Sequence, residues 1–211
     1  MAAGEEWANS EAGKLGAAPT WIIDPIDGTN NFVRRFPFTC VSIGLALGGR
    51  LVLGVVYCPL MGGLLFSAAR GGGAYLNGER IRTSGCDCLR DAAVATEMGY
   101  DRSEEGKALA LGRLGRLIDL STQSFRMTGS CAMDMCHVAC GRLDSYYEGR
   151  DKSFGPKAWD VAATTVIIEE AGGVVSAIEG GALDIFSGRV ACSATPELHE
   201  QLLAALRGPA G

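Results

Sequence analysis

Histidine is nearly missing from this chain: His137 and His199 are the only two in 211 residues. No Ser/His or Cys/His nucleophile pair is evident, which argues against covalent catalysis through an activated hydroxyl or thiol. None of the eight cysteines (Cys40, Cys58, Cys86, Cys88, Cys131, Cys136, Cys140 and Cys192) forms a C-x-x-C pair, so zinc-type ligand spacing is absent too. No secretory signal precedes them. Despite their even count they read as free thiols of a reducing compartment, and the expected location is cytoplasmic. Cys131, Cys136 and Cys140 fall near one face of a predicted helix and read as small core residues. A long Lys/Arg run is missing as well. With 19 basic against 24 acidic residues the net charge is −5, which leaves no basic surface for nucleic acid. That acidic balance suits a chain carrying several metal-binding carboxylates, and a solvated surface explains it equally well. The uncharged run Leu51 to Ala69 has the length of a membrane span but is broken by Gly54, Pro59, Gly62 and Gly63. Leu51–Tyr57 and Leu64–Ser67 read better as two buried strands, and no membrane anchor remains. Internal repeats and low-complexity tracts are also lacking.

What is there has the composition of a globular protein, 47% hydrophobic and 20% charged, with length for one domain over residues 1–211. The chain is organised around Trp21-Ile22-Ile23-Asp24-Pro25-Ile26-Asp27-Gly28-Thr29-Asn30. Ile22 and Ile23 read as the end of a buried strand. Asp24 and Asp27 follow on a turn punctuated by Pro25 and Gly28. Pro25 fixes its own φ and biases Asp24 towards an extended conformation, so both carboxylates ride on stiff backbone. Carboxylates with a nearby carbonyl are hard oxygen ligands, the kind Mg²⁺ prefers. Gly28 and Thr29 add backbone N–H groups and a hydroxyl able to hold an oxyanion. Metal ligands next to phosphate donors are what metal-assisted phosphate chemistry requires. Two aspartates alone would make an acidic turn at a strand end; acidic motifs recurring elsewhere decide against that reading.

Downstream, Thr39–Leu47, Leu51–Tyr57 and Gly63–Ala69 are β-rich runs, and residues 39–83 read as an antiparallel meander. Arg70-Gly71-Gly72-Gly73-Ala74-Tyr75-Leu76-Asn77-Gly78 lacks the phosphate-loop pattern, and Asn77-Gly78 marks a tight hairpin instead. A helix is predicted from an N-cap at Ser103, with Leu111, Leu114, Leu117 and Ile118 on its packing face. Another opens at Gly129-Ser130-Cys131-Ala132, with Ser130 as its cap, and runs to Gly141. Asp144–Glu148 is a predicted strand. Trp159-Asp160 begins an apolar helix ended by Gly172-Gly173, and Asp160 in its first turn suits the helix dipole. Gly173–Ile178, Val190–Ser193 and a helix begun at Thr195-Pro196-Glu197 complete alternating β and α elements.

Gly4-Glu5-Glu6, Asp24-Pro25-Ile26-Asp27-Gly28-Thr29 and Trp159-Asp160-Val161-Ala162-Ala163, followed by Glu170-Ala171-Gly172-Gly173, resemble the signature set of the inositol monophosphatase family. Asn31-Phe32-Val33-Arg34-Arg35-Phe36-Pro37-Phe38 and Val41-Ser42-Ile43-Gly44 resemble the animal enzymes more than the bacterial ones, and the likeness runs from Gly4 to about Arg207. The resemblance implies an α/β fold, the layered sandwich of the sugar phosphatase superfamily. In it an antiparallel sheet is followed by a smaller mixed sheet with helices between. It implies Mg²⁺-dependent hydrolysis of a small phosphate monoester, myo-inositol 1-phosphate first, by a lithium-sensitive homodimer. Glu5, Asp24 and the Ile26 carbonyl would hold the first metal, and Asp24, Asp27 and Asp160 the second, with a third ion near Glu5. Thr29 with Glu5 would orient and deprotonate the attacking water, and the Gly28 and Thr29 N–H groups would hold phosphate oxygens. Gly129, Ser130, Cys131 and Glu148 match residues that contact the polyol, joined there by Asp27 and Asp160.

The resemblance also carries two departures. Members of the family have a helical segment before the glutamate motif, which here begins three residues into the chain. The expectation is an uncovered sheet face and a first metal site weakened by a fraying Glu5. The connection Gly149 to Ala158 is longer than in the animal enzymes. Arg150, Lys152 and Lys157 within it read as a solvated polar loop, with attraction of an anionic substrate as the alternative. Two further functions stay open: a sugar- or nucleotide-phosphate phosphatase, and a catalytically weak form that acts as a dimerisation partner.

Overall fold

The computed structural model describes residues 14–207. A six-stranded antiparallel sheet comes first: β1 (Thr20–Asp27), β2 (Cys40–Leu47), β3 (Arg50–Cys58), β4 (Leu64–Ala69), β5 (Gly73–Leu76) and β6 (Glu79–Ile81), paired in that order. Asn77 and Gly78 turn β5 into β6 with φ of 52° and 84°, the left-handed pair that a type I′ hairpin needs. A short helix, α1 (Thr29–Val33), stands between β1 and β2.

The other sheet contains β7 (Ala93–Thr96), β8 (Ser124–Arg126), β9 (Ser145–Glu148), β10 (Val174–Ser176) and β11 (Val190–Ser193), in the order β10-β11-β9-β7-β8. β7 runs parallel to both β8 and β9, and the other pairs are antiparallel. Parallel neighbours need crossovers; α2 (Glu104–Asp119) and α3 (Cys131–Ala139) supply them. α4 (Ala158–Glu170) and α5 (Pro196–Arg207) follow β9 and β11.

The layers run sheet, helices, sheet, helices. α3 and α4 lie between the two sheets, and α5 with α2 covers the far face of the smaller one. Alternation along β9 serves both cores: Tyr146 points into the first and Tyr147 into the other. α4 is apolar all round because it is covered on every side, with Val161 to Ile168 all buried. It rests directly on the first sheet. A Cβ on Gly54 would stand 2.0 Å from the Ala163 carbonyl oxygen, so β3 has to offer bare backbone there. This contact sets the height at which Asp160 emerges from the helix start.

The layered α/β architecture expected from the resemblance is therefore the one observed, with three local corrections. Ile23 is not buried: it is 53% exposed, and Trp21 is 59% exposed, because β1 alternates and its outer side faces solvent beside Tyr57 and Leu65. Leu111 and Ile118 on α2 are 59% and 56% exposed, while Leu117 is fully buried. α2 packs through Gly106 and Leu117, so the predicted packing stripe is split, with Leu114 and Leu117 turned inward and Leu111 and Ile118 facing outward. The strands β7 and β8 are only four and three residues long, too short for a periodic signal. Among the described residues no helix is long and apolar enough to cross a membrane.

Candidate active site

Asp24 and Asp27 lie three positions apart, so on a regular strand they would point to opposite faces. Both are buried on the same face. The pairing explains it: Asp24 lies opposite Ser42 and Asp27 opposite Cys40, so β1 spends one residue more than β2. This bulge at Pro25-Ile26 re-aims the carboxylate of Asp27. Pro25 has no N–H to lose from the ladder, and Ile26 N–H is taken by Asp24 Oδ1 at 2.9 Å. The strand runs through Asp27 instead of ending before Asp24, which refines the turn expected from the sequence.

Gly28 follows at φ 80° as the cap of α1. A Cβ there would meet the Phe38 carbonyl oxygen at 2.8 Å and the Gly129 oxygen at 3.3 Å, so the position accepts only glycine. Thr29 opens α1 immediately afterwards. Asn31 ties this corner down by donating Nδ2 to the carbonyls of Phe38 and Thr128 at 2.9 and 2.7 Å.

Asp160 arrives from the other side. It is the third residue of α4, and its Oδ2 accepts the Lys157 N–H at 2.6 Å. Ser42, the partner of Asp24 across the sheet, donates its hydroxyl to the Trp159 carbonyl at 3.1 Å. The helix start is thereby pinned beside the β1 bulge. Carboxylate oxygens of Asp24, Asp27 and Asp160 all lie within 4.8 Å of one another.

The charge in this corner is poorly compensated. Among the described residues no Lys or Arg pairs with any of the three. Burial, and then Asp24 beside it, raises the Asp27 carboxyl from 3.8 to about 6, against the lowering effect of its hydrogen bond from Ser130. Burial and the neighbouring Asp27 likewise push Asp160 well above the usual carboxylate range. Three hard oxygen donors that repel one another when buried are suited to a divalent cation, and the donor set matches Mg²⁺.

The start of α3 is built into the same corner. Ser130 caps the helix and donates its hydroxyl to Asp27 Oδ2, and Ala132 N–H donates to the same oxygen at 2.8 Å. The Cys40 thiol lies 3.8 Å from it. The helix N-terminus thus faces a buried carboxylate that has no Lys or Arg partner among the described residues. Gly129 N–H and Thr128 N–H go to Glu97 Oε1 at 2.6 and 2.7 Å. Of the segment expected to touch the polyol, Gly129 N–H and the Ser130 hydroxyl are therefore spent on holding Glu97 and Asp27. Cys131 is buried at 6% exposure. Glu148 ends β9, accepts the Tyr146 hydroxyl, and is raised to about 7, chiefly by burial. Glu5 and Glu6 lie outside the described residues.

Three contributors carry no sequence signal. Glu97 supports the Thr128–Gly129 turn, Asp134 is fully buried and accepts the Thr128 hydroxyl at 2.8 Å, and the Tyr100 hydroxyl receives Asn30 Nδ2 at 2.8 Å. Glu97 directly follows a four-residue strand, Asp134 has the pattern of an exposed helical aspartate, and Tyr100 sits on a rim connection.

This layered fold brings three carboxylates together at a strand bulge and a helix start, an arrangement suited to metal-assisted hydrolysis. The sequence model of the inositol monophosphatase family matches residues 2–208. An inositol monophosphatase from Dictyostelium discoideum is 43% identical over 189 residues, which are 90% of this chain and 67% of that protein. Human inositol monophosphatase 2 is 44% identical over 191 residues, 90% of this chain and 64% of its own. The structure of inositol monophosphatase from Anabaena superposes with a TM-score of 0.81 at 38% identity, covering 90% of this chain and 71% of that one. The chain belongs to the inositol monophosphatase family, and so to the phosphatases. It spans about two thirds of the length of the relatives it matches.

Proposed function

We propose that this protein is a Mg²⁺-dependent phosphatase that hydrolyses myo-inositol monophosphate to inositol and phosphate. The observation that carries this reading is the convergence of Asp24, Asp27 and Asp160 to within 4.8 Å at a buried corner without an ion-pair partner among the described residues. In this reading Asp24, Asp27, Asp160 and the Ile26 carbonyl hold the metal, together with Glu5. Bound Mg²⁺ supplies Lewis-acid stabilisation of the phosphoryl oxygens and a water of lowered pKa. Thr29 orients the attacking water, and Glu5 takes its proton. The Gly28 and Thr29 N–H groups hold phosphate oxygens, and their rigid glycine corner keeps those donors aimed before substrate arrives. Glu148 accepts hydrogen bonds from polyol hydroxyls, beside Cys131 and the Gly129–Ser130 turn.

The chain is also expected to form a homodimer. Supporting this is a surface depression lined by Phe32, Val33, Arg35, Pro37 and Leu60, where Phe32 and Val33 are 53% and 76% exposed. Free thiols throughout the described residues support a cytoplasmic location. Lithium inhibition follows from the same family reading. The deciding experiment is phosphate release from a panel of inositol, sugar and nucleoside monophosphates, with and without Mg²⁺. Highest kcat/KM for an inositol monophosphate, lost on chelation and inhibited by millimolar lithium, is the expected result. Metal-independent turnover, or preference for a nucleotide, would refute it.

A further inference from the structure

Two connections stand at the mouth of the carboxylate corner. Residues 97–103 leave β7 at Glu97, and residues 149–157 join Glu148 to the helix start that carries Asp160. The first is fastened near Thr29, where Asn30 reaches the Tyr100 hydroxyl. The next residue, Asp101, meets Arg150. That guanidinium donates Nη1 to Asp101 at 2.6 Å and Nη2 to Glu105 at 3.2 Å, and lies 3.5 Å from Asp151. Its carbon centre also sits 5.9 Å from the Phe154 ring centroid.

The acceptor is itself set in place. Asp101 Oδ1 takes the Ser103 N–H at 2.9 Å, and bonds from Ser103, then Arg150, hold its carboxyl below the ordinary range. The side chains of Asp101 and Arg150 are 10% and 29% exposed. From α2, Arg113 donates Nη1 to the Gly149 carbonyl at 2.8 Å. Behind this seam is a cavity of about 40 Å³, lined by Glu97, Arg113, Tyr147, Glu148, Arg150 and Phe154, with room for a few waters. Two of the three basic residues of this connection are thus engaged within the protein. Arg150 is surrounded by three carboxylates, and Lys157 Nζ is spent on the Lys152 carbonyl at 2.6 Å.

We propose that Arg150 is a latch. By holding residues 149–157 against Asp101 it fixes the width of the leaving-group side of the site, and so selects small polyol phosphates over esters with bulky leaving groups. The selectivity rests on the phosphatase reading above; the latch does not. An isolated exposed ion pair would do little. Here one planar guanidinium spans two connections, three acceptors and a ring face, which a lysine ammonium cannot reproduce. Glu148 directly precedes one connection and Tyr100 directly precedes Asp101 on the other, so the bond between Arg150 and Asp101 fixes how far apart these two residues stand.

The test compares Mg²⁺-loaded wild type, R150A and R150K. Amide hydrogen exchange over residues 149–157 reads the latch, with β2 and β3 as the fold control. R150A should exchange at least about tenfold faster in that segment alone, with R150K between. Phosphate release from myo-inositol 1-phosphate and adenosine monophosphate reads the selectivity. R150A should raise KM for the inositol ester about fivefold with kcat within about twofold, and lower the inositol-to-nucleotide ratio of kcat/KM by about tenfold. Unchanged exchange overturns the latch. Faster exchange with an unchanged ratio, or an equal fall in kcat on both esters, overturns the selectivity. If R150A also loosens β2 and β3, the same ratio in R150K decides. A wild type that releases phosphate from neither ester overturns the phosphatase reading and the selectivity with it, while exchange still judges the latch.

Discussion

Replacing Asp134 with Asn should stabilise the protein near neutral pH, although the residue is fully buried next to the acidic corner. Asp134 sits on α3 with no solvent exposure. Its Oδ1 accepts the Thr128 hydroxyl and its Oδ2 has no partner. Burial first, and then the charges of Glu97, Asp27 and Glu148, raise its carboxyl from 3.8 to about 8. Between about pH 4 and pH 8 the folded state therefore keeps a proton that the unfolded chain gives up. The stability this group contributes is fully present below the unfolded value and is lost as pH rises through the folded one. At pH 7, about three pH units above the unfolded value, holding the proton costs roughly 4 kcal/mol at 1.36 kcal/mol per unit. That figure is a ceiling. Asn matches the shape and needs no proton, and its amide can turn towards Glu97, yet a buried amide carries its own desolvation cost of about 1–3 kcal/mol. The expected gain at pH 7 is therefore about 1–3 kcal/mol, falling with pH and turning into a loss of about 1–3 kcal/mol at pH 4, where only the amide's cost is left. Urea denaturation of both proteins at steps from pH 4 to pH 8 in Mg²⁺-free buffer measures it, since contributions common to both cancel in the difference. Lower stability of the Asn variant at pH 7, or a difference that does not change with pH, would refute the reasoning.

Asp24→Asn should cut turnover by at least about 10³-fold, because an amide cannot supply the charge of a carboxylate that would hold the metal; near-normal kcat in the folded variant would contradict the assignment. Cys131→Ser combined with Cys136→Ser should leave Mg²⁺ binding by calorimetry unchanged, since soft thiolates do not select that ion; loss of bound metal in a folded double variant would show the thiols to be more than packing. Gly54→Ala should cost about 3 kcal/mol, or roughly 6–12 °C in melting temperature, because its Cβ would stand 2.0 Å from backbone that cannot yield without moving α4. A melting temperature within about 2 °C of wild type would show that helix and sheet can part more cheaply than their geometry implies.

Most of the fold follows from short-range signals. The meander is legible because Gly-rich turns separate uncharged β-rich runs, and three of the helices because Ser103, Ser130 and Pro196 mark their starts. What fails is any feature decided by a distant partner. Leu111 and Ile118 face solvent because α2 rests on α5 through other positions, and nothing within α2 records where α5 will lie. Glu97 and Asp134 resemble ordinary surface acids until the Thr128–Gly129 turn is brought between them.

The acidic corner shows how these two kinds of information combine. The resemblance groups Asp24 with Asp27, yet strand periodicity alone would set them on opposite faces of β1. Only the pairing with β2, where three steps along β1 match two along its partner, returns both to the buried face. A proline at that place is compatible because the extra residue is the one that need not donate to the ladder. Asp160 then has to reach the same point from a helix whose height is fixed by Gly54 and whose start is tied down by Ser42. The motif names the ligands; the bulge, the glycine contact and the Ser42 bond bring them within reach of one another.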